Sequence, residues 1–206
     1  MRVLLALLMV FGAAPAARAS ELAVSLKDPS GQPVANAVVV FHPAAGSPAP
    51  HASGPYVMSQ EDIRFDPFVI VVPVGAAVQF PNHDKVRHHV YSFSLVKRFE
   101  IKLYGRDETR SISFDHPGVV SLGCNIHDQM MGFVYVTDTP YTAKSGPRGD
   151  VVLKDLPVGP GTLTVWQPFL KSTRNEMAQF VSIPAQGEVR VALTLNLRPP
   201  PADKAL

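Results

Sequence analysis

Short runs of β-branched and aromatic residues, separated by proline and glycine, repeat along most of the chain. Several of these runs alternate between apolar and polar positions, which is the period of a half-buried β-strand. Twenty prolines and fourteen glycines punctuate them. A single segment, residues 171–178, has the spacing of a helix. The pattern therefore predicts an all-β fold with strands at 22–26, 38–41, 57–60, 68–72, 77–80, 88–93, 99–103, 110–114, 119–123, 132–136, 150–153, 162–166, 180–183 and 188–197.

Two turn-rich segments, residues 44–55 and 137–149, interrupt the series of strands. Clusters of Pro, Gly, Ser and Thr between periodic segments are typical of loops and of domain boundaries. The chain after residue 198 is rich in proline, and we expect this terminal segment to be disordered. The resulting division of the chain is 20–54, 55–137, 138–198 and a tail at 199–206.

The first nineteen residues have the pattern of a cleavable signal peptide. Arg2 supplies the positive charge, residues 3–12 form an apolar stretch too short to span a bilayer, and Ala17-Arg18-Ala19 matches the cleavage site. No later stretch is long and apolar enough for a membrane helix. We therefore expect a mature protein that begins at Ser20, is periplasmic and has no membrane anchor.

The formal net charge of the whole chain is +2, but this figure includes the predicted signal peptide. Arg2 and Arg18 lie in that segment and no acidic residue does, so residues 20–206 carry a formal net charge of zero. A neutral chain gives no electrostatic reason to bind nucleic acid. With 46% apolar residues, it has enough material for one large or two small cores.

One heptapeptide contains the residues with the most specific chemistry. In Cys124-Asn125-Ile126-His127-Asp128-Gln129-Met130, a thiol, an imidazole and a thioether follow at C-x2-H-x2-M spacing. Cys124 is the only cysteine, so it cannot form an internal disulfide. One Cys, two His and a weak axial Met are the ligands of a blue-copper electron-transfer site. Such a site needs a second histidine, and residues 81–90 contain three candidates.

Those candidates are His83, His88 and His89. On a strand, neighbouring side chains point to opposite faces, so His88 and His89 should not both bind one metal ion. His83 lies in a polar turn, where a solvated side chain is expected. Strand geometry alone therefore leaves the choice between His88 and His89 open, just as the spacing alone leaves Met131 as an alternative to Met130.

Residues 57–136 resemble the cupredoxin family, and within it the amicyanin and plastocyanin group. The pattern opens with Phe65-x-Pro67, Val71, Gly75, Val78 and Asn82, and continues with Phe114, Pro117-Gly118 and Gly132. The family shows N-x5-H before its first copper ligand, and His88 stands six residues after Asn82. The resemblance implies a Greek-key cupredoxin β-sandwich that holds one type-1 copper ion. Its implied metal ligands are His88, Cys124, His127 and Met130.

Three positions near the implied ligands depart from the family pattern. Arg87 and Ile126 stand where the family usually has proline, and His89 stands where it usually has asparagine. These changes alter the polarity and hydrogen bonding around the thiolate, so a reduction potential cannot be carried over. They remove no ligand.

The resemblance implies an electron-transfer protein and not an enzyme. It also implies redox-protein partners, with an amine dehydrogenase as donor and a c-type cytochrome as acceptor, and we expect a monomer. The main alternative is a periplasmic copper-delivery or storage protein without a redox role. An enzyme such as a nitrite reductase would need a second copper site, for which His83, His89 and His116 are weakly patterned, and a metal-free structural module is the last alternative.

The flanking segments resemble a different family. Asp28-Pro29-Ser30-Gly31-Gln32-Pro33-Val34 and residues 142–165 are similar to the two halves of a carboxypeptidase-regulatory-like, transthyretin-type β-sandwich. Residues 20–43 offer about two strands, and an isolated two-stranded hairpin is marginal in water. We therefore predict that the cupredoxin sandwich is inserted in, or flanked by, a second, smaller β-sandwich.

Overall fold

A computed structural model of the protein describes residues 20–201. The predicted signal peptide, 1–19, and the end of the predicted tail, 202–206, lie outside the described residues. The all-β prediction is confirmed. The strands, numbered in chain order, are β1 (Glu21–Lys27), β2 (Val38–Pro43), β3 (Tyr56–Val57), β4 (Ser59–Glu61), β5 (Arg64–Asp66), β6 (Val69–Pro73), β7 (Ala76–Pro81), β8 (His88–Phe93), β9 (Arg98–Tyr104), β10 (Thr109–Phe114), β11 (Gly118–Cys124), β12 (His127–Thr137), β13 (Thr142–Lys144), β14 (Asp150–Leu153), β15 (Gly159–Trp166), β16 (Glu176–Ile183) and β17 (Glu188–Thr194).

The strands form four main sheets and one small hairpin, β4–β5. The spatial orders are β14-β1-β17, β13-β2-β15-β16, β6-β12-β11-β8-β9 and β10-β7-β3. Three apolar clusters join the first sheet to the second, the second to the third and the third to the fourth. The described chain is therefore a stack of four β-layers.

The first two layers combine strands from distant parts of the sequence. Strand β1 pairs antiparallel with β14 and parallel with β17, and β2 lies between β13 and β15. Alternate residues of β1, Leu22 and Val24, pack against Phe41, Leu163 and Val165. This pairing is the contact that the insertion hypothesis requires, and the independent folding of the two sandwiches stays a prediction.

The third and fourth layers contain the candidate metal ligands. Most of their neighbouring strands are antiparallel, but β6 pairs parallel with β12 and β3 pairs parallel with β7. The core between them includes Val78, Phe80, Phe114 and Val134, all nearly inaccessible to solvent. Cys124 and Met130 belong to the same core, so the two sulfur atoms lie inside the sandwich and not in a surface loop.

The second and third layers pack face to face, which explains two continuous apolar runs in the sequence. Val38 and Val40 of β2 face Phe133 and Tyr135 of β12, with Trp166 between them. The intervening residues of both strands point into the other two cores. A strand that is buried on both faces has no reason to alternate.

The predicted helix at residues 171–178 is wrong. The chain makes only a short 3-10 turn, Thr173–Asn175, before β16 starts. Arg174 and Asn175 have φ values of 56° and 57°, in the left-handed region that a right-handed helix excludes. The next residues pair with β15 from Trp166↔Glu176 onwards, so tertiary strand pairing overrides local propensity.

Two smaller differences concern strands. The predicted strand at residues 57–60 is divided between β3 and β4, and the sequence pattern missed the three-residue strands β5 and β13.

Between residues 20 and 201, no helix is long and apolar enough to cross a membrane.

Candidate metal centre

Cys124 and His127 come together because they close a β-hairpin. Strand β11 ends at Cys124, β12 begins at His127, and the two residues pair across the Asn125-Ile126 turn. The register shifts between Gly123 and Cys124, which re-aims the cysteine relative to the rest of the strand. As a result, Cys124 Sγ lies 3.5 Å from His127 Nδ1.

His88 reaches the same point from the neighbouring strand. It is the first residue of β8, which pairs with β11 through Tyr91 and Gly123. Its Nδ1 lies 3.8 Å from Cys124 Sγ, and its ring centroid is 4.9 Å from that of His127. One donor atom from each of the three residues lies within 4.8 Å of the others. His88 is fully buried, Cys124 is 2% exposed and His127 is half-buried.

The alternation of β12 separates the two methionines. Met130 is 2% exposed and packs in the core cluster that contains Cys124. Met131 points to the other face, where it packs beside the cluster of Phe133 and Trp166. Met130 is therefore the methionine on the side of the thiol and the two imidazoles.

The protonation state of His88 suits a metal ligand. Burial lowers its pKa, and the positive charge that His127 would carry acts in the same direction. Hydrogen bonding and charge attraction to Asp84 oppose the shift without reversing it. The neutral imidazole, which is the form that binds metals, is thus favoured at neutral pH.

The spacing of the donors fits one small, soft metal ion. Metal–nitrogen bonds of about 2.0 Å and metal–sulfur bonds of about 2.3 Å place the donors of a trigonal site roughly 3.5–4.0 Å apart. The two observed sulfur–nitrogen distances are 3.5 Å and 3.8 Å. A thiolate, two imidazoles and a nearby thioether favour copper over zinc or the hard cations. The residues present therefore fit a type-1 copper ion.

Asp84 is a residue of this centre that the sequence reasoning missed. Its Oδ2 lies 2.7 Å from His88 Nε2, on the side of the ring opposite to Cys124. The sequence did contain a signal, since a carboxylate four residues before a ligating histidine can reach the second ring nitrogen. The N-x5-H pattern drew attention to Asn82 instead.

Asn82 has a structural task in the loop before His88. Its side-chain amide donates to the carbonyl oxygens of Val86, at 2.9 Å, and Tyr104, at 3.3 Å. The Tyr104 hydroxyl lies 3.0 Å from the Phe80 carbonyl oxygen, and burial raises the pKa of this phenol to about 12. These fully buried polar groups hold the loop against the sandwich core.

The other candidate histidines lie outside the cluster. His89 is 7% exposed and its Nε2 lies 2.9 Å from Glu100 Oε1, while its Nδ1 has no hydrogen-bond partner. The register between β8 and β9 shifts at this point, so His88 and His89 are both buried instead of alternating between core and surface. His83 and His116 are exposed, as expected for turn and loop residues.

The chain matches no protein-family model and no curated protein sequence. Three similar solved structures are a purple cupredoxin from Nitrosopumilus maritimus, a reduced mutant of amicyanin, and a Cu-containing nitrite reductase from Thermus scotoductus SA-01. The purple cupredoxin is 20% identical with a TM-score of 0.38, over 40% of this chain and 100% of that chain. The amicyanin mutant is 21% identical with a TM-score of 0.39, over 50% of this chain and 99% of that chain. The nitrite reductase is 26% identical with a TM-score of 0.39, over 55% of this chain and 28% of that chain.

The resemblance to cupredoxins is therefore found among solved structures as well as in the sequence pattern. All three TM-scores lie below 0.5, so the functional argument rests on the donor geometry of this chain.

Proposed function

We propose that this protein is a periplasmic mononuclear type-1 copper protein that transfers single electrons between redox proteins. The observation that carries the proposal is the convergence of His88 Nδ1, Cys124 Sγ and His127 Nδ1 within 4.8 Å, in a core that also contains Met130. The Cys, two His and Met donor set is diagnostic of blue-copper chemistry.

Each donor has a distinct task in this proposal. Cys124 would bind as the thiolate, because only the deprotonated sulfur is a good ligand. His88 and His127 would bind through Nδ1, and Met130 would supply the weak axial donor. Copper, when bound, would carry the electron by cycling between its cuprous and cupric states. A β-sandwich holds these side chains on paired strands, and this limits their rearrangement when the charge of the centre changes.

Burial of the donors favours electron transfer over copper delivery. A delivery or storage site must exchange its metal with other proteins, which requires accessible ligands. His88, Cys124 and Met130 are each no more than 2% exposed, and among the three donors of the cluster His127 is the one with partial access to solvent. An electron can enter through the edge of a half-buried imidazole, whereas a ligand on an incoming chaperone would have to open the core.

The location and partners are part of the proposal. The signal-peptide pattern of residues 1–19 supports export to the periplasm. The cupredoxin resemblance supports a c-type cytochrome as electron acceptor and an amine dehydrogenase as donor. Chemical reaction on an organic substrate is not part of the proposed role.

The test is a redox titration of the copper-loaded protein. We expect one copper per chain, reversible one-electron voltammetry, and electron transfer to a c-type cytochrome in a stopped-flow experiment. Cys124→Ser is the matched control, because it changes one atom and removes the thiolate. A wild-type protein that binds copper but shows no reversible one-electron couple would favour the storage alternative.

A further inference from the structure

The imidazole of His88 is held from both sides. Nδ1 faces Cys124 Sγ at 3.8 Å, and Nε2 faces Asp84 Oδ2 at 2.7 Å. The His88 side chain is fully buried and the Asp84 side chain is 13% exposed. Since Asp84 Oδ2 is within hydrogen-bond distance of Nε2, a neutral His88 places its proton on Nε2 and leaves the lone pair of Nδ1 directed towards the metal-binding space.

Asp84 is itself fixed by contacts to a separate hairpin. Its Oδ1 accepts the backbone N–H of Asp62 at 2.8 Å, and its Oδ2 accepts that of Ile63 at 3.0 Å. Its own N–H donates to Asn82 Oδ1 at 2.9 Å. These backbone contacts orient the carboxyl group of Asp84 so that its Oδ2 faces His88 Nε2.

The hairpin that holds Asp84 has an unfavourable backbone conformation at its turn. Asp62 and Ile63 form the two-residue turn between β4 and β5, with φ values of 52° and 58°. Such turns favour Asn-Gly, and a β-branched residue with positive φ is a genuine outlier. The conformation turns two successive N–H groups towards one carboxylate. Strained backbone that is retained at a particular side chain points to a role for that side chain.

We propose that Asp84 is a positioning residue for the copper centre: it fixes the His88 tautomer and lowers the reduction potential. The proposal rests on the type-1 copper function proposed above. A carboxylate that accepts the Nε2 proton makes the imidazole a stronger donor, as in carboxylate–histidine–metal arrangements. A stronger donor with a nearby negative charge stabilises the cupric state more than the cuprous state.

The test compares Asp84→Asn with Asp62→Asn. Both substitutions remove one negative charge from the same corner of the fold, and asparagine tolerates the positive φ of position 62. The side chain of Asp84 contacts His88, whereas Asp62 contacts Asp84 through its backbone N–H. We expect Asp84→Asn to weaken cupric binding 10- to 100-fold relative to cuprous binding. Each factor of ten raises the reduction potential by about 59 mV, and Asp62→Asn should change the potential much less.

The outcomes separate the two proposals. Suppose that the wild type has a reversible copper couple and that Asp84→Asn shifts its reduction potential no more than Asp62→Asn does. Asp84 then only binds the turn between β4 and β5, and the inference is overturned while the proposed function stands. If the wild type has no copper–thiolate centre, both proposals fail together.

A second measurement covers the case in which Asp84→Asn does not fold. Nitrogen-15 NMR of the metal-free wild-type protein reports the tautomer of His88 directly, because no metal then occupies Nδ1. We expect the proton on Nε2, with a strongly downfield resonance from its hydrogen bond to the carboxylate. A proton on Nδ1, or a rapidly exchanging Nε2 proton, would overturn the proposed role of Asp84.

Discussion

Trp166 lies where the second and third layers meet, and its replacement by alanine tests whether this contact stabilises the whole chain. Trp166 is the only tryptophan of the protein, it is 1% exposed, and it contacts two aromatic rings of β12. The ring centroids of Phe133 and Tyr135 lie 5.5 Å and 5.6 Å away. Trp→Ala in a core costs about 3–5 kcal/mol, from lost apolar contact and the cavity left behind.

A double-mutant cycle isolates the contribution of one aromatic pair. Trp166→Ala, Phe133→Ala and the double variant should be unfolded with urea in the metal-free state. Far-UV circular dichroism is the suitable signal, because the substitution removes the tryptophan fluorescence. Aromatic pairs contribute about 0.5–1.5 kcal/mol beyond their buried area, so the cycle should give a coupling energy of about 1 kcal/mol.

Phe180→Ala is the matched control for these substitutions. Phe180 is also an aromatic residue of the second sheet, but it is 89% exposed on the edge strand β16. Its replacement should change the free energy of unfolding by no more than about 0.5 kcal/mol. The reasoning is refuted if Trp166→Ala costs less than about 1 kcal/mol, or if the cycle with Phe133 shows no coupling.

Three further predictions address the metal centre, the architecture and acid stability. Met130→Gln should shift the reduction potential of the copper-loaded protein more than Met131→Gln, and voltammetry giving the reverse order would show that the axial ligand is misassigned. A fragment of residues 55–137 should fold and bind copper alone, while 138–206 should be unstable unless β1 and β2 are supplied; a stably folded 138–206 would count against the insertion hypothesis. Burial lowers the pKa of His88 in the folded protein. As the pH falls below about 6.5, the His88 imidazole is therefore protonated more readily in the unfolded chain than in the folded protein, and the free energy of unfolding decreases. The urea midpoint of the metal-free protein should therefore drop from pH 7.5 to pH 5.5, and an equal drop in a His88→Gln variant would contradict this cause.

Local patterns predicted those parts of the fold and site that local geometry determines. Cys124 and His127 are three residues apart across a hairpin turn, so their proximity can be read from spacing. The preference for Met130 over Met131 came from the family resemblance, because the predicted strand began only at residue 132; in the structure, the two side chains lie on opposite faces of β12. His88 is thirty-six residues from Cys124, and it was the family pattern, not strand geometry, that selected it over His89.

The features that the sequence did not reveal depend on tertiary contacts. Asp84 acts on His88 only because a distant hairpin fixes its carboxylate. Residues 171–178 have the composition of a helix, but pairing with β15 and the positive φ at Arg174 make them a turn and a strand. The apolar run of β2 indicates a strand that is buried on both faces. It does not indicate which sheet covers each face.

The visible absorption spectrum of the protein loaded with one equivalent of cupric ion tests the central claim most directly. If Cys124 binds copper as a thiolate beside His88 and His127, the spectrum should contain an intense thiolate-to-copper charge-transfer band. Ascorbate should bleach this band, and Cys124→Ser should abolish it while the folded β-signal in circular dichroism remains. A wild-type protein that binds one equivalent of copper and stays colourless would contradict the type-1 assignment.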